Sequence, residues 1–417
     1  MTSITTIIFH ILIFASVYVQ VFFFVTFLEN RKRIIIRKGK VVLDKYPAVT
    51  IVVPCWNEER TVYKTVRSLM NLNYPKDKLE IFLIDDGSTD RTWDIIRKFE
   101  KYSNIKVFHK ENGGKYAALN FALEHMTTQF FAGLDADSLA DPEALVRIMS
   151  TFQADPSVMA VVPSVTVCNA KNFIQNAQRA EYHMGVYFKK MLSFMGAINV
   201  TPGPLTVFRK KVFDDLGPYK HAHNTEDMEI AYRMQKNHYK IEHCNDAYIY
   251  TNTPKTIRTL YKQRLRWVYG FINNTIDYRN VLFRKKYGNF SLFTLPMGAL
   301  SIISVTYLFG RIIYNVFDFL YSKIVVYQTV GFNFNSSKFA FSFDPFFINT
   351  KFTLFLVVVI YATVVFAMVF GRRMAENKWS VSLSMLYYFP VFSVLAPLWL
   401  VKAMYKTITN RRPPAWR

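Results

Sequence analysis

The segment Ile81–Asp90 reads IFLIDDGSTD, and the architecture of the chain follows from it. Ile81-Phe82-Leu83-Ile84 is a short apolar run of the kind that forms a strand buried on both faces, and it stops at two acids, a glycine and a Ser-Thr-Asp turn. A buried strand that delivers polar residues at its C-terminal end belongs to an open, mostly parallel α/β sheet, whose ligands gather at that edge. The turn predicts a helix cap at Ser88 or Thr89. Burying Asp85 and Asp86 without partners would be costly, so these acids are expected to do more than cap.

The same alternation of strand and helix repeats on both sides. Val49–Val53 is a strand stopped by Pro54, and Asn57-Glu58-Glu59 is predicted to cap a helix running to Leu72. Strand Ile105–Phe108 is followed by Asn112-Gly113-Gly114-Lys115, which opens a helix over Tyr116–His125. A glycine pair at a helix start lets backbone N–H groups approach an anion, and Lys115 adds a point charge. The longer glycine spacing and the Ser/Thr of an ATPase phosphate loop are missing. Strand Gln129–Leu134 ends in Asp135-Ala136-Asp137, and Asp141-Pro142-Glu143 starts another helix. Two carboxylates two residues apart at a strand end can converge on one hard divalent cation, so Asp135 and Asp137 are the candidate metal ligands. Later, Thr201-Pro202-Gly203-Pro204 precedes strand Leu205–Arg209, and Asn224-Thr225-Glu226-Asp227 opens helix Met228–Lys236. Glu226 and Asp227 in a first turn are ordinary partners for the helix dipole, and Asp227 is also placed to act as a general base.

The segment Thr251–Gly270, TNTPKTIRTLYKQRLRWVYG, divides a soluble-looking half from an apolar half. On a helix Gln263, Arg266 and Trp267 share one face. An indole offers a flat apolar surface to a sugar ring, and a guanidinium offers a rigid set of donors to phosphate oxygens. The same residues also suit a basic interfacial helix in which Arg258, Lys262 and Arg266 touch lipid headgroups and Trp267 anchors at the boundary. The segment by itself leaves both open.

Of the 417 residues, 51% are hydrophobic and 17% aromatic, which points to a membrane protein. A formal charge of +22 would suit nucleic acid, but the basic residues collect around apolar runs, so anionic lipid and phosphorylated substrates are the expected partners. Cys55, Cys168 and Cys244 are far apart and form no CxxC, which indicates neither a disulfide framework nor zinc, and reduced cytosolic thiols are expected. Ile4–Leu28 is almost uncharged and is followed by Arg31, Lys32, Arg33, Arg37, Lys38 and Lys40, a pattern for a span with cytoplasm on its C-terminal side. A cleaved signal would carry its charge ahead of the apolar run. Ser291–Gly310, Phe352–Phe370 and Val381–Val401 are further candidate spans, the last interrupted by Pro390 and Pro397, with Tyr321–Lys351 as an external loop. Three crossings after a cytoplasmic domain would leave Lys402–Arg417 outside, against the positive-inside preference. A re-entrant hairpin broken at Pro390 is the alternative.

The ordered set IVVPCWNEE, IDDGSTD, NGGK, DAD, TED and QRLRW across Val49–Trp267, flanked by spans, resembles the processive, membrane-integrated family-2 glycosyltransferases. Cellulose, chitin, hyaluronan, nodulation chitooligosaccharide and poly-N-acetylglucosamine synthases belong to that group. The resemblance implies an α/β, Rossmann-like GT-A domain that transfers sugar from a UDP-sugar with inversion. It implies that Asp85 and Asp86 meet the uridine and diphosphate, Lys115 the diphosphate, and Asp135 and Asp137 the nucleotide, with Asp137 ligating Mg²⁺ or Mn²⁺. Asp227, beside Glu226, would be the base. Gln263 and Arg266 would contact the diphosphate, Arg264 would join the substrate-binding set, and Trp267 would carry the acceptor. The chain lacks the long extra domains of cellulose synthases, which favours the compact bacterial branch and UDP-N-acetylglucosamine.

The division that follows is an N-terminal transmembrane helix over 1–30, a GT-A domain over 45–255, interfacial helices with QRLRW over 256–290, a transmembrane bundle over 291–402 containing the 321–351 loop, and a basic tail over 403–417. Expected partners are the UDP-sugar, the growing polysaccharide, membrane lipids and a small accessory membrane subunit, but no nucleic acid. The expected location is the plasma (inner) membrane with the catalytic domain cytoplasmic. Two alternatives stand beside this reading: a non-processive polyprenyl-phosphate glycosyltransferase, and a catalytically inactive membrane scaffold or exporter subunit.

Overall fold

The computed structural model describes residues 4–34, 36, 39–330 and 352–409. Strands β1 (Val49–Cys55), β2 (Leu79–Asp86), β3 (Ile105–Lys110), β4 (Phe130–Gly133), β5 (Ser138–Ala140), β6 (Val158–Val167), β7 (Val207–Arg209) and β8 (Lys240–Thr251) form one sheet in the order β3-β2-β1-β4-β7-β6-β8-β5. Pairs β3/β2, β2/β1, β1/β4 and β6/β8 are parallel, and β4/β7, β7/β6 and β8/β5 are antiparallel. The helices are α1 (Ile4–Asn30), α2 (Val62–Met70), α3 (Thr92–Ile96), α4 (Lys115–His125), α5 (Ala144–Ala154), α6 (Phe173–Phe194), α7 (Lys211–Leu216), α8 (Glu226–Lys236), α9 (Ile257–Asp277), α10 (Leu295–Val330), α11 (Phe352–Glu376) and α12 (Leu383–Ile408).

The unbroken apolar strands are explained by burial on both faces. Ile51, Val53, Ile81 and Leu83 enter one core layer with Val66, Leu145 and Ile148, while Val52, Phe82 and Ile84 enter the other with Leu119, Phe131 and Ile230. Each such side chain contributes about 1.5–3 kcal/mol of burial. Because β1, β2, β3 and β4 run parallel, the residues that follow them emerge along one edge, and the DD, NGGK and DAD segments therefore meet there.

The caps differ from the expectation. Helix α2 begins only at Val62 and α3 at Thr92, with N-caps Thr61 and Arg91 that make no side-chain cap bond. The polar residues before them bond across to each other instead. Ser88 Oγ accepts from Asn57 N (3.0 Å), Asn57 Oδ1 from Thr89 N (2.8 Å), and Asp90 Oδ2 from Glu59 N (3.2 Å). These cross-loop bonds occupy the side chains that would otherwise cap the helices.

Among the described residues four helices are long and apolar enough to cross a membrane: α1, α10 with the π-helical turn Phe290–Thr294 that precedes it, α11 and α12. Rings hold them together, with Phe22 stacked on Phe293 (4.5 Å) and Phe27 edge-to-face with Phe370 (4.3 Å). Glycines bring the membrane helices close to the catalytic half. A Cβ on Gly371 of α11 would collide with the His183 carbonyl of α6, and one on Gly298 of α10 with the Phe271 ring of α9.

Two expectations are corrected. Helix α10 continues to Val330, so residues 321–330 are helical rather than loop, and the remaining 331–351 lie outside the described residues. Helix α12 runs unbroken through Pro390 and Pro397, so Val381–Val401 is no hairpin. Packing supports it through the prolines: Val391, Phe392, Trp399 and Leu400 are buried against Ala177, Leu260 and Leu265, and both ends are tied down. Ser384 Oγ donates to Asn176 Oδ1 of α6 (3.2 Å), and Asn273 Nδ2 of α9 donates to Thr407 Oγ1 (3.0 Å). Arg37, Lys38 and the tail from 410 lie outside the described residues.

Candidate active site

A cavity of about 1100 Å³ opens between the strand edge and helices α6 and α9. Single-ligand pockets commonly hold about 300–1,000 Å³, so this one has room for more than one bound group.

Asp86 stands at its edge, and its carboxylate accepts three hydrogen bonds from the chain. Oδ1 accepts from Gly113 N (3.0 Å) and Lys110 Nζ (2.6 Å), and Oδ2 from Gly114 N (2.8 Å). The glycine pair therefore cradles a side-chain carboxylate of this chain, where the sequence had suggested an external anion. Gly114 has φ 86°, a left-handed conformation that favours glycine. Asp85 is turned away from the cavity. It is completely buried, with Oδ2 at 2.7 Å from His109 Nδ1 and Oδ1 accepting from Ser88 N (3.3 Å). Its expected contact with nucleotide is thus corrected: it holds the turn that presents Asp86.

Lys115, at the start of α4, donates to Asp135 Oδ1 (2.5 Å) and lies 3.6 Å from Glu226 Oε1. Burial alone would lower its pKa, but Asp135, Glu226 and Asp227 outweigh burial and hold it well above the usual lysine value. The Pro202-Gly203-Pro204 loop closes over this pair, and a Cβ on Gly203 would collide with Lys115 Nζ and the Asp135 carboxylate. Asp137 also lines the cavity, and its backbone carbonyl accepts from Asn252 Nδ2 (3.0 Å). Among the described residues no group of three or more His, Cys, Asp or Glu side chains converges on a point. A cation held by Asp137 and Asp135 would complete its shell with phosphate and water oxygens. That donor set suits Mg²⁺ or Mn²⁺ and not a closed protein cage.

Asp227 and Glu226 face the same space from the first turn of α8. Burial, then the neighbouring Glu226, pushes the Asp227 pKa up to about 6, against the pull of Lys115 and Arg266. A carboxyl titrating there can hold or release a proton near neutral pH. The turn is clamped from α9. Thr225 Oγ1 accepts from Asn274 Nδ2 (2.9 Å), and Gly270 is so close that a Cβ would collide with the Thr225 side chain.

Gln263, Arg266 and Trp267 line the cavity as one face of α9. Arg266 Nη1 donates to the Asn224 carbonyl (2.8 Å). Arg264 does not line the cavity, which corrects its place among the substrate contacts. It is buried at 4% exposure and bonds to Glu181 of α6. One residue on from Gln263, it sits on the flank of the cavity-facing set, on the side turned toward α6.

Helix α6 supplies a wall that no motif announced. Glu181, Tyr182 and Lys189 line the cavity, and burial pushes the Lys189 pKa down to about 8 although Asp227 draws it up. Trp56, after β1, also lines the cavity. The sequence signals for α6 are its amphipathic spacing and the Asn172 N-cap, and neither marks a binding residue.

Residues 50–217 match the family model described as glycosyl transferase family 2. The chain is 30% identical over 303 residues, 72% of each chain, to a poly-β-1,6-N-acetyl-D-glucosamine synthase of Staphylococcus epidermidis. The chain belongs to glycosyl transferase family 2. It is therefore an enzyme, a membrane glycosyltransferase with a GT-A fold. A relative in Staphylococcus aureus with the same name is 27% identical over 313 residues, 73% of this chain and 74% of the other. Among solved structures it is similar to the mannosyltransferase PcManGT from Pyrobaculum calidifontis, solved with GDP-Man and Mn²⁺, at 18% identity and TM-score 0.56, covering 96% of this chain and 99% of that one. That likeness concerns the fold.

Proposed function

We propose that this glycosyltransferase is an inverting, metal-dependent polysaccharide synthase that polymerises a UDP-sugar, UDP-N-acetylglucosamine, into a β-linked chain and passes it through its own membrane helices. The observation that carries the reading is the single cavity shared by Asp227, Trp267 and the Lys115–Asp135–Asp137 group. Residues suited to donor phosphates, a flat surface suited to a sugar and a half-buried carboxylate line the same space. The names of the staphylococcal relatives support the polymer and its sugar.

In this mechanism Asp227 accepts the proton of the acceptor hydroxyl as that oxygen attacks the anomeric carbon, and its raised pKa suits the task. Arg266 and Lys115 bring fixed positive charge to the departing diphosphate, where charge develops. Asp137 with Asp135 would hold Mg²⁺ or Mn²⁺, which supplies further charge stabilisation at the phosphates. Gln263 adds an amide contact to the same group, and Trp267 orients the terminal sugar of the acceptor. The domain division given from sequence, apart from the corrected 321–351 loop, the cytoplasmic face of the catalytic half and an accessory subunit belong to this reading.

The test is to incubate membranes containing the enzyme with separate UDP-sugars and Mg²⁺ or Mn²⁺ and to size the product. Long polymer from UDP-N-acetylglucosamine alone is expected. Transfer of a single sugar to a lipid phosphate would replace this reading with a non-processive one.

A further inference from the structure

Behind the cavity, Arg264 makes three contacts at once. Its Nη2 donates to Glu181 Oε2 of α6 (2.5 Å), its Nη1 donates to Gln263 Oε1 (3.2 Å), and its guanidinium lies 4.1 Å from the centroid of the Trp267 ring. The side chain of Arg264 is 5% exposed and that of Glu181 24%. Burial raises the Glu181 pKa, with Arg264 pulling it down.

We propose that the Glu181–Arg264 ion pair is a positioning device that fixes the Trp267 ring relative to Gln263, so that the acceptor is held in register with the donor. The claim rests on the proposed role of Trp267 as acceptor platform. An indole at the wall of a cavity this size has two torsions free to turn, and a sugar stacked on it is only as well aligned as the ring. The arginine plane restrains the ring from behind through a cation–π contact, and its fork reaches Gln263 and Glu181 at the same time. Glu181 sits on α6, not α9, so it also locks the platform helix to the helix that carries Lys189 into the cavity. Lysine cannot reproduce this arrangement, because its ammonium is a point charge without a plane.

The experiment compares Glu181→Gln, Arg264→Lys, Trp267→Phe and the double variant Arg264→Lys/Trp267→Phe in the full-length protein. Polymer length, KM and kcat for the UDP-sugar, and affinity for UDP are measured on each, and detergent-extracted protein is checked for unchanged thermal unfolding. Arg264→Lys is expected to shorten the product several-fold and lower kcat while UDP affinity stays within about twofold, and Glu181→Gln should do the same more weakly. The double variant should be no worse than the more damaged of its parents, the non-additivity expected of residues acting through one another. If Arg264→Lys fails to fold, Glu181→Gln, which keeps shape and loses only charge, carries the test alone. Normal-length polymer from the folded ion-pair variants, with Trp267→Phe shortened, would overturn the positioning role and leave the platform standing. Normal-length polymer from Trp267→Phe, and from Trp267→Ala made as its control, would instead remove the platform itself. Equal loss of UDP affinity and polymer length would overturn the proposal in favour of a purely structural pair.

Discussion

The two walls of the cavity are built by opposite means. On the strand edge, each polar group is fixed by a partner close by in the fold: Asp86 by the Gly113 and Gly114 amides, Asp85 by Ser88 and His109, Lys115 by Asp135. The wall is rigid because adjacent parallel strands deliver its parts side by side. The helical wall has no such frame. Gln263, Arg266 and Trp267 stand on α9, which is held from behind by Glu181 of α6, by the Thr225 turn and by α12. The difference teaches that the donor side of this enzyme is set by sheet geometry and the acceptor side by helix packing at the membrane. Damage to the first should destroy chemistry, and damage to the second should spoil polymer growth.

Asp227→Asn gives the sharpest break, since the carboxylate belongs to neither wall alone. Its kcat is expected to fall by about 10³-fold, within the range for a lost general base, while UDP affinity changes little. An elongation rate near wild type would reduce Asp227 to a helix-start residue. Next is Asp137→Asn, for which several kcal/mol of lost charge stabilisation predict about a hundredfold drop in rate and weaker UDP binding. Full turnover in EDTA would separate the strand wall from any metal.

Trp267→Ala examines the other wall. Polymer should be lost or very short while UDP affinity stays close to wild type, with Trp267→Phe between. Product sizing and nucleotide binding on the same preparations decide it, and a matching fall in both would mean that the two walls do not divide the work. A smaller effect is expected at Gly203→Ala, whose added Cβ meets Lys115 and Asp135. Overpacking of about 1–3 kcal/mol should lower the thermal midpoint and raise KM for the donor before it touches polymer length.

The mildest prediction is a pH profile. Only ionised Asp227 can accept a proton, and its pKa is raised to about 6, so kcat/KM should rise with pH, pass half its maximum near pH 6 and level off above about pH 7. An acid limb centred near pH 4 would show that Glu226 and burial do not act on Asp227 in the working enzyme.

Much of this was legible in the chain. Unbroken apolar runs ending in DD, NGGK and DAD can be read because strand, turn and helix start are local, and a parallel sheet brings their ends to one edge. The apolar length of the spans follows in the same way from composition. Where reading failed, a side chain had more than one reachable partner. Asp85 and Asp86 are adjacent and alike, yet the pleat sends one into the cavity edge and the other into the interior beside His109. Gly113 and Gly114 looked ready for a phosphate and are occupied by Asp86. Ser88 and Thr89 looked like caps and bond across to Asn57.

Sequence by itself determined the elements, the sheet edge and the identity of the charged groups, because strand burial, helix starts and apolar length depend on neighbours a few residues apart. Tertiary structure alone decided which of those groups face the cavity. Arg264 and Arg266 are two residues apart on one helix, so periodicity turns them different ways without saying which of them meets the cavity. Arg266 turns to the cavity, and Arg264 turns to Glu181, 83 residues away in the chain. A buried guanidinium must find its carboxylate wherever the fold brings one, and that partner is fixed only when α6 and α9 pack together.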